Sequence, residues 1–207
     1  MSLPESVKNS LMEHSPQSEE KIISTLSLSK QEKLKSAMLY LINSGGKRLR
    51  ATLPYLIGEL LQNSDKSHYD VGAAIEIIHN FTLIHDDIMD NDSMRRGRPS
   101  VHKAFDVPTA INAGDAMLAV AFELISSSEF IDSKYLPELV KIIGGMVRRV
   151  SEGQQLDIDN ENRRDITIED YLYMIEGKTA VMFEACARCG AILSGATPEE
   201  VELLGNW

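Results

Sequence analysis

Cysteine and basic charge are both scarce in this 207-residue chain. The two cysteines, Cys186 and Cys189, are too few for a disulfide framework, and they lack the second pair that a four-cysteine zinc site requires. The 21 lysines and arginines are outnumbered by 31 aspartates and glutamates, which leaves a net charge of −10. Such a chain has no overall attraction for a polyanion, so we expect no nucleic-acid partner.

Long hydrophobic runs are also missing. The longest one, residues 116–125, is about half of the roughly 20 residues that a membrane-spanning helix needs. The polar N-terminus has no apolar core of the kind found in signal peptides. We therefore expect a cytoplasmic protein without a transmembrane segment, and a hydrophobic content of 43% is enough to build a core.

Apolar residues recur at helical spacing from residue 30 onward, and no stretch alternates long enough to form a sheet. This pattern predicts a single all-α domain over residues 1–207, in which the first 28 residues form a loosely packed arm or a short helix. A capping box at Thr167 begins a long helix that extends to about Gly195, with a kink expected at Gly177. Thr197 and Pro198 begin another helix, and its early end at residue 207 suggests a fragment of a longer chain.

Acidic residues cluster on the helix that the pattern predicts between residues 69 and 89. At about 100° per residue, His79, Asp86 and Asp90 fall within roughly 40° of one another, whereas Asp87 lies about 80 to 100° away. Carboxylates on adjacent helical turns repel one another, and a hard cation such as Mg²⁺ would compensate their charge. A solvated acidic turn is the alternative interpretation.

Three basic segments offer sites for an anion. Residues 45–50 place cations after a glycine turn at the start of a helix, where backbone donors also favour anions. Arg95 and Arg96 follow the aspartates, and their guanidinium groups fit the oxygens of a diphosphate. Lys178, next to Gly177, points inward to an anion or extends to solvent as a surface lysine.

Apart from His79, these residues belong to six short segments that occur in a fixed order. The segments are GGKRLR at 45–50, LIHDDIMD at 83–90, RRG at 95–97, GD at 114–115, GQQLD at 153–157 and GKT at 177–179. In order and spacing they resemble the trans-isoprenyl diphosphate synthases, or polyprenyl synthetases, over about residues 44–195. The resemblance implies a helical bundle around a central active-site cavity, the isoprenoid synthase fold, in a homodimer.

The resemblance also implies a role for each motif residue. Asp86, Asp87 and Asp90 match the first aspartate-rich motif, which holds Mg²⁺ against the diphosphate of the allylic substrate. Arg95 matches an arginine that grips this diphosphate, and Lys178 and Thr179 match the pair that contacts it and steadies the carbocation. The residues that match the isopentenyl diphosphate site are Lys47, Arg50, His79 and Arg96.

Product length in this family depends on the residues four and five positions before the first aspartate of the motif. These are Thr82 and Phe81, and their combination resembles archaeal-type geranylgeranyl synthases, which make a C20 product. Phe81 lies about 140° round the helix from Asp86, so simple packing is an alternative role for it.

Other functions remain open at this point. A farnesyl diphosphate synthase would share the same motifs, and a regulatory subunit would fit the lack of a second aspartate-rich motif within residues 1–207. Without a second aspartate-rich motif, one side of the magnesium cluster has no ligands. We therefore expect the 207 residues alone to be inactive or severely impaired. Terpene cyclases also ionise prenyl diphosphates, but they have no use for an isopentenyl site such as Lys47, Arg50 and Arg96.

Overall fold

Helices make up almost all of the regular structure. The computed structural model describes residues 4–161 and 163–206, within which it contains ten α-helices, a 3-10 turn, a π-helical turn and a small hairpin. The elements are α1 Glu5–Leu26, α2 Glu32–Ile42, α3 Leu49–Leu60, α4 Lys66–Met89, β1 Met94–Arg95, β2 Arg98–Pro99, α5 Val101–Ala104, α6 Val107–Ser127, the 3-10 turn Ser133–Tyr135, α7 Leu136–Asn160, α8 Ile168–Ile175, the π-helical turn Glu176–Ala180, α9 Val181–Leu193 and α10 Pro198–Gly205. The expected all-α class is confirmed.

Helix α4 lies at the centre of the bundle. It begins with a capping box between Asp65 and His68, and its middle is buried on nearly every side by α1, α3, α6 and α9. Close approach to α3 depends on Gly72, because a Cβ atom there would lie 2.0 Å from the carbonyl oxygen of Ala51. The aspartate motif occupies the last turns of this helix, so the core holds its backbone rigidly.

The expectation of a loosely packed N-terminal arm or short helix was wrong. Helix α1 is 22 residues long and packs against α3 and α4. Its buried stripe includes two polar residues, His14 and Ser18, as well as Ile22 and Leu26. These polar positions interrupt the apolar period in the sequence, although both side chains make hydrogen bonds inside the bundle.

A tight hairpin follows α4. Strands β1 and β2 pair antiparallel, with Met94 opposite Pro99 and Arg95 opposite Arg98. The turn residues Arg96 and Gly97 have φ angles of 52° and 75°, the left-handed region that such two-residue turns require. Each strand has two residues, which is too short for an alternating pattern to be visible in the sequence.

A π-helical turn at Gly177, where the sequence predicts a kink, separates α8 from α9. This turn packs closely on α7, because Gly153 has no side chain: a Cβ atom there would lie 2.4 Å from the backbone nitrogen of Lys178. A π-helical turn shifts the positions of the following side chains relative to a regular helix. It therefore sets the direction of Lys178.

Among the described residues, one helix is long and apolar enough to cross a membrane by length and composition. This helix is α6, with a mean hydropathy of 1.2 over 18 residues. It packs on α4, where Ala113, Met117 and Ala121 are fully buried, and core helices of soluble proteins meet the same criterion. The apolar character of α6 extends beyond residues 116–125, and Asp115 and Glu123 are its only two charged residues.

Candidate active site

The last turn of α4 presents Asp86 and Asp90 one helical turn apart. Asp86 is half-buried and Asp90, which caps the helix, is exposed. Burial raises the pKa of Asp86 to about 6; the charge of Lys178 opposes this change, and the carboxylate of Asp90 adds to it. Two mutually repelling carboxylates of this kind are suited to a hard divalent cation.

Asp87 lies on the other side of the helix. Its side chain is fully buried, and one carboxylate oxygen accepts a hydrogen bond from Arg95 Nε at 2.6 Å. Burial raises the pKa of Asp87, and the hydrogen bond and charge of Arg95 oppose that rise. Its second oxygen, Oδ2, has no hydrogen-bond partner among the described residues. The resemblance groups Asp87 with the metal ligands Asp86 and Asp90. Successive helical residues differ by about 100° in direction, and in the structure the Asp87 side chain is directed toward Arg95.

No preformed metal site is visible in residues 4–161 and 163–206, where no three histidine, cysteine, aspartate or glutamate side chains meet. Asp86 and Asp90 supply carboxylate oxygens from one side. Their donor chemistry fits Mg²⁺, which is typically held by one or two carboxylates together with substrate phosphates.

Lys178 faces the aspartate motif from the π-helical turn. Its ammonium group donates a hydrogen bond to the carboxylate of Asp157 on α7, and its charge lowers the pKa of Asp86 against the larger effect of burial. Thr179, the next residue, is exposed. Lys178 therefore points into the site and does not extend to solvent as a surface lysine would.

A small cleft of about 190 Å³ lies beside Asp86. Phe81 and Thr82 both line it, so the structure places the two predicted product-length residues on the same cleft as the first aspartate of the motif. The ring of Phe81 packs edge-on against His85 at 5.1 Å between centroids, and Thr82 Oγ1 donates to the carbonyl of His79 at 2.8 Å.

The same cleft is lined by Gln154, which the sequence did not assign to the site. Gln154 is 6% exposed, and neither polar atom of its amide has a hydrogen-bond partner in the described part of the chain. The signal for it was the GQQLD segment at 153–157, which a polar helix end explains equally well. In the structure Gln154 is buried within α7, which continues to Asn160, so Gln154 does not belong to a solvated helix end.

The glycine turn at residues 45–50 forms a second, basic part of the site. Lys47 is exposed, whereas Arg50 is half-buried with its guanidinium group 4.4 Å from the ring centroid of Phe183. Burial lowers the pKa of Arg50, and its Nε atom has no hydrogen-bond partner within the described residues. A half-buried cation with a buried, unused donor atom is suited to an anionic ligand.

The β1–β2 hairpin packs on this glycine turn. Arg96 donates through Nη1 to the carbonyl oxygens of Gly45 and Leu41. Arg98 contacts the Ser44 hydroxyl, and its guanidinium group lies 4.5 Å from the ring centroid of Tyr40. Residues some 50 positions apart in the sequence thus form one basic surface.

His79 lies beneath this surface. Burial, together with the nearby positive charges of Arg50, Arg96, Arg95 and Arg48, lowers its pKa to about 3. The imidazole is therefore neutral at pH 7. Arg95, on the same hairpin as Arg96, hydrogen-bonds to Asp87 and also lowers the pKa of Asp86 against the effect of burial. The basic surface and the aspartate motif therefore adjoin each other.

A sequence profile described as polyprenyl synthetase matches residues 31–207. The chain belongs to the polyprenyl synthetase family. It is 40% identical to a geranylgeranyl diphosphate synthase of Methanosarcina mazei over 88% of this chain and 56% of that protein. It is 39% identical to a farnesyl diphosphate synthase of Bacillus subtilis over 87% of this chain and 62% of that protein. The chain thus spans just over half the length of these polyprenyl synthetases.

Solved structures agree with the family. A geranylgeranyl pyrophosphate synthetase from the archaeon Geoglobus acetivorans superposes with a TM-score of 0.90 at 36% sequence identity, covering 95% of this chain and 64% of that one. The expected isoprenoid synthase fold is therefore confirmed.

Proposed function

We propose that the protein containing this chain is a trans-prenyltransferase that condenses isopentenyl diphosphate with an allylic diphosphate to give geranylgeranyl diphosphate (C20). One observation carries the proposal: the carboxylates of Asp86 and Asp90, which Lys178 faces, lie next to the basic group formed by Arg50, His79 and Arg96. The hydrogen bond from Arg95 to Asp87 joins the two groups. A reaction between two diphosphate substrates requires two such anion sites side by side. The similarity to a geranylgeranyl diphosphate synthase supports the C20 product.

In this proposal the allylic diphosphate binds between Asp86, Asp90, Lys178 and Arg95, with Thr179 at its edge. Asp86 and Asp90 would hold Mg²⁺, which would neutralise negative charge on the leaving diphosphate. Asp87 orients Arg95 through their 2.6 Å hydrogen bond instead of holding the metal directly.

Isopentenyl diphosphate binds to Lys47, Arg50, His79 and Arg96. Neutral His79 can offer an N–H group to a phosphate oxygen without adding charge among four arginines. The guanidinium groups hold the second substrate with its alkene directed toward the allylic C1 atom, so that the two reacting carbons are held close together.

The chemical step follows from this arrangement. The C1–O bond of the allylic substrate breaks and the diphosphate leaves with the bonding electron pair, while Lys178 and Arg95 stabilise its charge. The C4 alkene carbon of isopentenyl diphosphate attacks C1, and the departing diphosphate accepts the C2 proton as the new double bond forms. The cleft beside Phe81 and Thr82 receives the growing chain and limits its length.

A farnesyl diphosphate synthase (C15) is the second candidate, because a farnesyl diphosphate synthase is almost as similar to this chain.

We also propose that the protein is a cytoplasmic homodimer, and that residues 1–207 belong to a single polyprenyl synthetase domain whose second aspartate-rich motif lies on further helices.

The test is incorporation of radiolabelled isopentenyl diphosphate by the full-length gene product, with dimethylallyl, geranyl and farnesyl diphosphates as primers and products sized by chromatography. We expect products that stop at C20, and loss of activity with EDTA that Mg²⁺ restores. A stop at C15 would favour the farnesyl synthase. No incorporation by folded protein from any primer would contradict the enzyme and favour a regulatory subunit.

A further inference from the structure

Arg48 is a buried arginine in the middle of the basic glycine turn. It is 2% exposed, although its neighbour Lys47 is exposed, and its backbone φ angle of 50° lies in the left-handed region. A side chain other than glycine adopts that conformation at an energetic cost, so surrounding contacts must hold it there. The function proposed above gives this residue no role.

Two acidic residues and one carbonyl group surround the Arg48 guanidinium group. Nη2 donates to the carbonyl oxygen of Ile42 at 2.6 Å and to Glu19 Oε1 at 3.2 Å. Nη1 lies 3.4 Å from Oε1 of Glu76, a carboxylate that is 4% exposed. These contacts tie the turn to three separate helices, α1, α2 and α4.

The same network reaches the rest of the basic surface. Burial lowers the pKa values of Arg50 and Arg96, and the negative charge of Glu76 opposes this lowering in both. The turn itself closes over Arg48, because a Cβ atom at Gly46 would lie 3.0 Å from Arg48 Nη1. The position of Arg48 thus determines where Lys47 and Arg50 leave the turn.

Building on the proposed function, we propose that Glu19 and Glu76 are positioning residues that act through Arg48 to hold Lys47 and Arg50 in place for isopentenyl diphosphate. Glu19 belongs to α1, which precedes the residues matched by the family profile. The N-terminal helix therefore contributes to the isopentenyl site without touching its substrate.

The test compares Glu19→Gln with Glu20→Gln in the full-length protein. Glu20 is the adjacent exposed residue on the same helix and makes no ion pair within the described residues, so it is a matched control. We expect Glu19→Gln to raise KM for isopentenyl diphosphate by about three- to tenfold, because it removes a charge-assisted hydrogen bond. KM for the allylic primer and kcat should stay within about twofold of the wild type.

A second variant keeps the test independent of folding defects. Arg48→Lys retains the charge but loses the guanidinium fork, so it should raise KM for isopentenyl diphosphate, and Glu19→Gln should then add little. Unchanged KM values in both variants, or equal rises of KM for the two substrates, would overturn the proposal.

Direct calorimetry of isopentenyl diphosphate binding distinguishes a failure of the proposed function from a failure of this inference. Weak binding by the wild-type protein argues against the proposed function, whereas equal binding by the wild type and Glu19→Gln argues against this inference alone.

Discussion

At the scale of single residues, direction around the helix separates the roles of neighbouring aspartates. Asp86 and Asp87 are adjacent in sequence, yet one faces Lys178 and the other is buried against Arg95. The motif could be located from the sequence because its spacing repeats with the helical turn. Which carboxylate faces the substrate side depends on what packs around α4, and this information is absent from the spacing.

We expect Asp86→Asn and Asp90→Asn to lower kcat by about 10²- to 10³-fold, because each removes a carboxylate that would hold Mg²⁺ against the leaving diphosphate. The measurement is steady-state kinetics on the full-length protein with saturating Mg²⁺. Asp92→Asn serves as the control, since Asp92 is an exposed acid just beyond the same helix. Equal losses of kcat in all three variants would show that activity depends on the overall negative charge at this helix end and not on the two motif carboxylates.

His79 should make the protein less stable in acid. Its folded-state pKa of about 3 lies below the ordinary value of 6.5, so between these pH values the unfolded chain binds the extra proton. Stability from neutral His79 is therefore present above pH 6.5 and is lost as the pH falls, by at most about 1.4 kcal/mol per pH unit.

The measurement compares urea unfolding of wild-type protein and His79→Gln at pH 7 and pH 5. Glutamine cannot gain a proton, so the variant should lose less stability between these two pH values. The same loss in both proteins would rule out His79 as the source of the acid sensitivity.

At the scale of elements, the helices could be predicted from periodicity, but their contacts could not. Helix α1 was missed as a packed helix because His14 and Ser18 occupy buried positions that a hydrophobic pattern does not register. The break at Gly177 was expected, whereas the π-helical turn that aims Lys178 at Asp86 depends on its packing against Gly153 of α7.

Two glycine substitutions should affect stability in opposite directions. Gly72→Ala places a methyl group about where the Ala51 carbonyl lies, and overpacking of this kind typically costs roughly 1 to 3 kcal/mol or more. Gly144→Ala, in α7, meets no described atom within 4 Å, and alanine should stabilise the helix by about 0.5 to 1 kcal/mol. Urea unfolding midpoints measure both changes, and a destabilised Gly144→Ala would contradict the described open space.

At the scale of the whole molecule, the outer face of α6 stands out. Val107 and Ile111, one helical turn apart, are each 43% exposed on the helix with the highest hydropathy. Such a helix suits a contact between subunits, in keeping with the homodimer that we propose.

Ile111→Asp should therefore convert the full-length protein from dimer to monomer, because a buried charge without a partner destabilises an interface. Sedimentation equilibrium measures the mass, and Asp115→Asn, also on α6, is a control that should remain dimeric. A wild-type protein with the mass of one subunit would contradict the homodimer itself.

The sequence by itself determined the helical class, the order of the six motifs and hence the family, because these depend on spacing within single elements. Only the tertiary structure decided that Asp87 pairs with Arg95, that Gln154 lines the cleft, and that Glu19 supports the glycine turn through Arg48. These contacts join residues on different elements, and their geometry depends on how the helices pack. Burial and neighbouring charge likewise set the pKa of His79, and neither exists until the chain is folded.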